Sequence, residues 1–376
     1  MNYFKMIFFK KSHCTKLTVT LLLFFFLVLL TVTLLILSNF AWSPLRLVSQ
    51  DSNLKSVIST LSWKSQENDA PKVNELYTEQ SQNESRYPSF TRINMTKISD
   101  NIHKSKYEYI INEPDKCKER VPFLVLLITV QRWQHEARQA IRKTWGREDL
   151  LPGVKILRLF FLGKDPILNT EAETAISVES QGFHDIIQQN YLDTYANLTM
   201  KVLMGLNWIT TYCPHALYVM KTDSDMFVNT ENLVNKLLQP NHPPRTNYFT
   251  GFLMLNGSPI RNLDSKWYVS PDEYPEETYP SFCSGTGYVL SGDLTHKIIK
   301  ILPNVRWIHL EDVFIGLCLK KLGVEPVAPP PNSEFNNWRV AFSNCRYHNI
   351  VTAHQMSPSE ILYYWTRLQD TKHLCA

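Results

Sequence analysis

The chain has no glycine before Gly146, and it contains no G-x-G-x-x-G and no G-x-x-x-x-G-K-[ST]. A glycine loop that cradles phosphates is therefore not indicated. No C-x-x-C pair occurs, which argues against a zinc ribbon. No acid precedes Asp51. A basic surplus is missing from the bulk of the chain. Lys5, Lys10, Lys11, Lys16 and Arg46 lie in the first 50 residues, which leaves 34 basic against 35 acidic residues from 51 to 376. The pI of about 8.5 thus comes from the N-terminal flank. A nucleic-acid binder carries a basic patch on its folded part, so no nucleic-acid partner is expected.

What is present begins with Leu17–Leu37, 21 residues without a charge. That length crosses a hydrocarbon core of ~30 Å as a helix. A cleaved signal peptide has a shorter apolar core and a small-residue cleavage site. Here Ser38-Asn39-Phe40-Ala41-Trp42 follows, and Trp42 suits an interfacial anchor. The four lysines before the span keep residues 1–16 cytoplasmic by the positive-inside tendency. The expectation is a single-pass signal anchor with the rest of the chain luminal.

Residues 38–115 read as a flexible stem. They are rich in Ser, Asn, Lys, Glu and Thr and show no apolar period. Such a segment cannot bury enough apolar area to offset its ordering entropy. Beyond the span lie Cys117, Cys213, Cys283, Cys318, Cys345 and Cys375. Six cysteines in an oxidising lumen allow three disulfides in any of 15 pairings. Sequons at Asn83, Asn94, Asn197 and Asn256 suit a glycosylated luminal chain, although Pro259 weakens the last.

Residues 116–376 have a different pattern. The run Pro122–Thr129 is continuously apolar, as a strand buried on both faces would be. Trp133–Trp145 reads as a helix with Ala137, Ala140, Ile141 and Thr144 on its apolar stripe; Arg138 and Arg142 share another face. A strand at Val154–Leu162, an acidic helix at Asn169–Gln181 and a helix at Leu198–Thr211 follow. Strands alternating with helices imply an α/β fold with a mostly parallel sheet. Ligands of such sheets bind beyond the carboxyl ends of the strands.

Asp223-Ser224-Asp225 stands at such an end, after the apolar strand Ala216–Met220. With 15 Asp in the chain, chance alone supplies about 0.6 such triplets. Residues two apart on a strand share a face. Two carboxylates emerging together there suit a divalent cation that bridges a diphosphate. Later, Glu311-Asp312 opens an apolar helix. Acids there are ordinarily caps; the functional alternative is a general base. Trp267, Tyr268, Tyr274 and Tyr279 lie between the two acidic sites, and aromatic faces suit both sugar rings and cores.

Five segments then carry a resemblance. RQAIRKTWG (138–146), DIIQQNYLDTYANLTMK (185–201), YVMKTDSDMFVN (218–229), YPSFCSGTGYVLSG (279–292) and LEDVFIGLCL (310–319) resemble the β-1,3-galactosyltransferase family, in the family's order. The resemblance covers about residues 109–376. It implies a GT-A-type (Rossmann-like) domain, a UDP-galactose donor, a manganese ion and a Golgi location. It also implies transfer of galactose in β linkage to O3 of a terminal N-acetylglucosamine. Carried over, Asp223, Asp225 and His354 are the metal positions, and Asp312 is the catalytic base. Thr129, Arg138, Arg142, Lys201, Asp223 and Ser224 surround the donor nucleotide. Trp267, Tyr288 and Glu311 are the expected acceptor contacts. The rival readings are a β-1,3-N-acetylglucosaminyltransferase, an inactive carbohydrate-binding protein and a metal-dependent phosphoesterase. A homo-oligomer is left open.

Overall fold

The computed structural model describes residues 107–119, 121–165 and 170–371. The tail, the apolar span 17–37, most of the stem, Asn83, Asn94 and Cys375 lie outside the described residues. Among the described residues no helix is long and apolar enough to cross a membrane. The chain divides into Met1–Arg86 and Tyr87–Ala376, and everything described belongs to the second unit.

A seven-stranded sheet runs β1-β4-β3-β2-β5-β8-β7. Its strands are β1 (Tyr109–Ile111), β2 (Leu124–Thr129), β3 (Ile156–Lys164), β4 (Ile186–Leu192), β5 (Tyr218–Asp223), β7 (Phe249–Met254) and β8 (Phe282–Ser291). The central four, β4-β3-β2-β5, are parallel; β1, β8 and β7 pair antiparallel. The sheet is therefore mixed. Its folded edge starts at Tyr109, several residues before the boundary expected at 116. A second sheet pairs β6 (Phe227–Val228), β10 (Ile350–Ala353) and β9 (Glu334–Phe335) in the order β6-β10-β9.

Helices α1 (His135–Lys143), α2 (Thr170–Phe183) and α3 (Leu198–Tyr212) fall where the periodicity placed them. They are followed by α4 (Thr230–Asn232), α5 (Gly292–Ile301), α6 (Glu311–Leu322), α7 (Asn344–Tyr347) and α8 (Pro358–Asp370). Alternation along β2 builds the two cores. Val125 and Leu127 face one layer with residues of α3, α5 and α6. Leu124, Leu126 and Ile128 face the other with residues of α1 and α8. Every residue of β2 is buried, as its unbroken apolar run requires.

Cys117 and Cys213 form a disulfide with Cα atoms 5.3 Å apart. Cys345 is also disulfide-bonded. Cys283 and Cys318 are free and buried, so the allowance for three bridges is not filled. Both pack into the α3–α5–α6 core as small apolar groups.

Candidate active site

The parallel register sets the site. Thr129 at the end of β2 pairs with Asp223 at the end of β5. The Thr129 hydroxyl donates to Asp223 Oδ1 at 2.7 Å. The strand stops at Asp223, and Ser224-Asp225 form a turn. The two acids therefore take different partners instead of sharing a strand face. Asp223 Oδ1 also receives Lys221 Nζ at 2.8 Å. Asp225 Oδ2 lies 3.2 Å from His354 Nε2. Ser224 is buried beneath the turn.

Pairing of β6 with β10 brings His354 there. Ala353 stands opposite Phe227, and the Met356 amide donates to the Asp225 carbonyl at 2.9 Å. His354 Nδ1 sits 3.1 Å from the Asn337 carbonyl, which leaves Nε2 toward Asp225. Burial disfavours the imidazolium, but the Asp225 carboxylate outweighs it and raises the His354 pKa above its ordinary value. The two facing atoms have the separation of neighbouring ligands on one ion with bonds of ~2.1 Å. Among the described residues no group of three His, Cys, Asp or Glu converges as a metal cluster.

Lys221 is the residue that sequence reasoning missed. It is fully buried, with Nζ 2.9 Å from Glu311 Oε1, and it also donates to the Gly285 carbonyl. Burial opposes its charge, yet Asp223 and Glu311 hold its pKa above the ordinary lysine value. A lysine inside an apolar strand, two residues before an acid, was the available signal. Gly285 leaves room for this meeting, since a Cβ there would stand 2.5 Å from Glu311 Oε1.

The Glu311-Asp312 pair divides by burial. Glu311 is 2 % exposed, faces Lys221, and accepts the Tyr288 hydroxyl at 3.0 Å. Its Oε1 is within ion-pair range of Lys221 but poorly aligned, and it receives no hydrogen bond. Burial and the nearby Asp312 charge push its pKa up to about 7 against the pull of Lys221. Asp312 is only partly buried. It accepts the Gly285 amide at 3.0 Å and its neighbour Val313's amide at 2.9 Å. Burial raises its pKa, with those amides pulling the other way.

Several expected contacts change role. Arg138 and Arg142 do not offer free guanidinium groups to a phosphate. Arg138 holds Glu179 at 2.6 Å and the Gln131 and Arg132 carbonyls. Arg142 spans Glu179 at 2.6 Å and Asp185 at 2.7 Å, and Arg158 shares Asp185 Oδ2 with it. Burial alone would raise Glu179, but Arg138, His135 and Arg142 pull it down to about 2. The helix carries these arginines inward because α2 and the start of β4 supply carboxylates. Lys201 is likewise a strut: Nζ meets Asp193 at 2.6 Å and the Val130 carbonyl at 2.9 Å. Its burial outweighs Asp193 and lowers its pKa. Glu311 and the fully buried Tyr288 cannot touch an acceptor; they brace Lys221.

Trp267 remains available, at 48 % exposure. The Lys266 ammonium lies 4.6 Å from its ring centroid and 6.0 Å from that of Tyr195. Tyr195 is exposed, within electrostatic reach of Asp312 and Asp223. Desolvation of the covered part of the side chain, and then those acids, push its hydroxyl up to about 12. Of the sequons, Asn197 sits in the short turn before α3 and donates to the Leu192 carbonyl at 2.9 Å. Asn256 is exposed in the loop after β7, with φ 53°.

A profile described as Galactosyltransferase matches residues 136–330, and one described as Beta-1,3-galactosyltransferase 2 N-terminus matches residues 45–125. Beta-1,3-galactosyltransferase 2 of Homo sapiens is 60 % identical over 267 residues, 71 % of this chain and 63 % of that protein. Beta-1,3-galactosyltransferase 1 of Mus musculus is 51 % identical over 275 residues, 73 % of this chain and 82 % of that protein. The chain belongs to the β-1,3-galactosyltransferase family. It spans about 63 % of the length of the first of these relatives. A solved glycosyltransferase involved in the glycosylation of the major capsid of PBCV-1 shares 11 % identity over 65 % of this chain and 99 % of that one. Its TM-score of 0.35 is too low to argue from. The α/β fold and the crevice at the ends of β2 and β5 stand on the chain's own geometry.

Proposed function

We propose that this chain transfers galactose from UDP-galactose to O3 of a terminal N-acetylglucosamine, in β linkage and in a single displacement. The observation that carries the reading is the partly open Asp312 carboxylate, fixed by the Gly285 amide beside a closed Lys221–Glu311–Asp223 cluster. The donor's anomeric bond is α and the product's is β. One in-line displacement inverts that centre, so no covalent enzyme intermediate is needed. The bond from the acceptor O3 to the galactose C1 forms as the bond from C1 to the UDP oxygen breaks. Asp312 takes the O3 proton. Its environment raises its pKa, which favours acceptance of that proton.

The other residues prepare the ground. Thr129 and Lys221 orient Asp223, and Lys201 and Arg138 pin residues 130–132 beside it. Trp267 and Tyr195 offer aromatic faces to the acceptor sugar. A manganese ion would be held by Asp225 and His354, with Asp223 nearby. When bound, such an ion neutralises a leaving diphosphate. The scaffold is read as GT-A-type, with an N-terminal anchor that holds the domain in the Golgi lumen and a glycan on Asn197. The α/β sheet with its crevice beyond the parallel strand ends supports that reading.

The deciding experiment is a donor-by-acceptor activity matrix with linkage analysis of the product. UDP-galactose with a terminal N-acetylglucosamine should give a β-1,3 product. Transfer only from UDP-N-acetylglucosamine, or UDP-sugar hydrolysis without an acceptor, refutes the proposal.

A further inference from the structure

A second recess lies beyond the crevice, at the far end of α6. Helix and strand run side by side there. Asp312 touches Gly285. One turn on, Gly316 lies against Phe282, where a Cβ would stand 2.7 Å from the Phe282 Cβ. One turn further, Lys320 reaches a cleft of about 250 Å³ walled by Tyr279, Ser281, Asn256 and Glu325. The helix thus runs back along the segment that leads into β8. The eight residue steps from Asp312 to Lys320 span ~12 Å of helix axis. Gly285 and Tyr279 belong to one continuous stretch of chain, so Asp312 and the cleft flank the same helix–strand pair.

The walls have a definite chemistry. Tyr279 lines the cleft with little of its surface exposed, and its own hydroxyl is buried without a hydrogen-bond partner. Asn256 and Ser281 contribute neutral polar groups, while Lys320 and Glu325 contribute one charge of each sign. The volume falls below the ~300–1,000 Å³ of sites for drug-sized ligands. A single pyranose ring suits such a space: its hydroxyls meet charged and amide groups while its C–H face meets an aromatic ring.

We propose that this cleft is a saccharide subsite that holds an inner sugar of an extended acceptor while the terminal sugar lies at Asp312. The inference rests on the acceptor reading above. Asn256 heads a sequon, so a glycan attached to this chain is another source of the same chemistry. Ser258→Ala removes the sequon without altering a wall of the cleft.

The test uses the full chain and two exposed wall residues, Lys320→Ala and Glu325→Ala. The KM for a linear oligosaccharide ending in N-acetylglucosamine should rise about tenfold in the double variant, the loss expected for hydrogen bonds to charged groups. The KM for a simple N-acetylglucosamine glycoside and for UDP-galactose should stay within about twofold. Lys320→Arg should retain most of the preference. Equal changes for both acceptors, or none, overturn the subsite and leave the activity standing. A wild type that transfers galactose to neither acceptor overturns the activity and the subsite with it. If Ser258→Ala lowers the oligosaccharide KM while the double variant leaves that KM unchanged, the cleft houses the chain's own glycan and the proposal falls.

Discussion

Lys221 Nζ and Glu311 Oε1 lie 2.9 Å apart, and both side chains are sealed from solvent. The pair joins a strand end to a helix start at the floor of the crevice. Breaking it leaves an uncompensated charge behind. Lys221→Met should destabilise the fold by about 3–5 kcal/mol, since Asp223 and Glu311 lose their common cation. Urea unfolding measures this; a loss below about 1 kcal/mol contradicts the role assigned to the pair.

The pH dependence of the same pair has a definite sign. Glu311 rises from an ordinary 4.5 to about 7 on folding. Between those values the native state holds more protons than the unfolded state, so its stability falls as pH rises. Glu311→Gln removes that slope. The stability of wild type relative to Glu311→Gln should fall across this window, by about 3 kcal/mol at most. A difference that stays flat from the lower value to the upper one contradicts the raised carboxyl.

Asp312→Asn should lower kcat by a factor of about 10² or more while UDP-galactose binds as before, as loss of a general base predicts. Turnover near the wild-type rate in the purified variant removes Asp312 from the mechanism.

Asp225→Ala and His354→Ala should each weaken manganese-dependent UDP binding. Their effects should be less than additive in the double variant, because the two groups face one point. Titration calorimetry with and without the metal reads this directly. Unchanged metal dependence in both single variants excludes the pair as ligands.

Arg142→Met tests the reassigned arginines. It should cost about 3–5 kcal/mol of stability by stranding Glu179 and Asp185. The UDP affinity of the folded variant should stay within about twofold, because Arg142 is spent on those acids. A large loss of affinity in a stable variant would restore the donor role that sequence suggested.

Much of this was readable in one dimension. The apolar run before Thr129 announced β2, and the switch to helical spacing announced α1 and α3. β4 was not read as a strand. Gln188 and Gln189 interrupt its apolar run, and they are buried because neighbouring groups such as the Gly163 carbonyl accept the Gln188 amide. The position of Asp223 at a strand end and of Asp312 at a helix start was also legible, since local period and chain punctuation report where elements stop.

Local period reports which face of an element is apolar; it does not report what lies opposite. Arg138 and Arg142 read as a face apart from the apolar stripe because nothing nearby in sequence announced Glu179 or Asp185. Glu311 and Asp312 are adjacent and chemically alike, yet one is sealed against Lys221 and the other stays partly open. Asp225 meets His354 only because β6 pairs with β10. The sequence by itself determined the order of elements and the stock of charged groups at the strand ends. The long-range pairings decided which charges meet, because burial and partnership arise between residues that no local spacing relates.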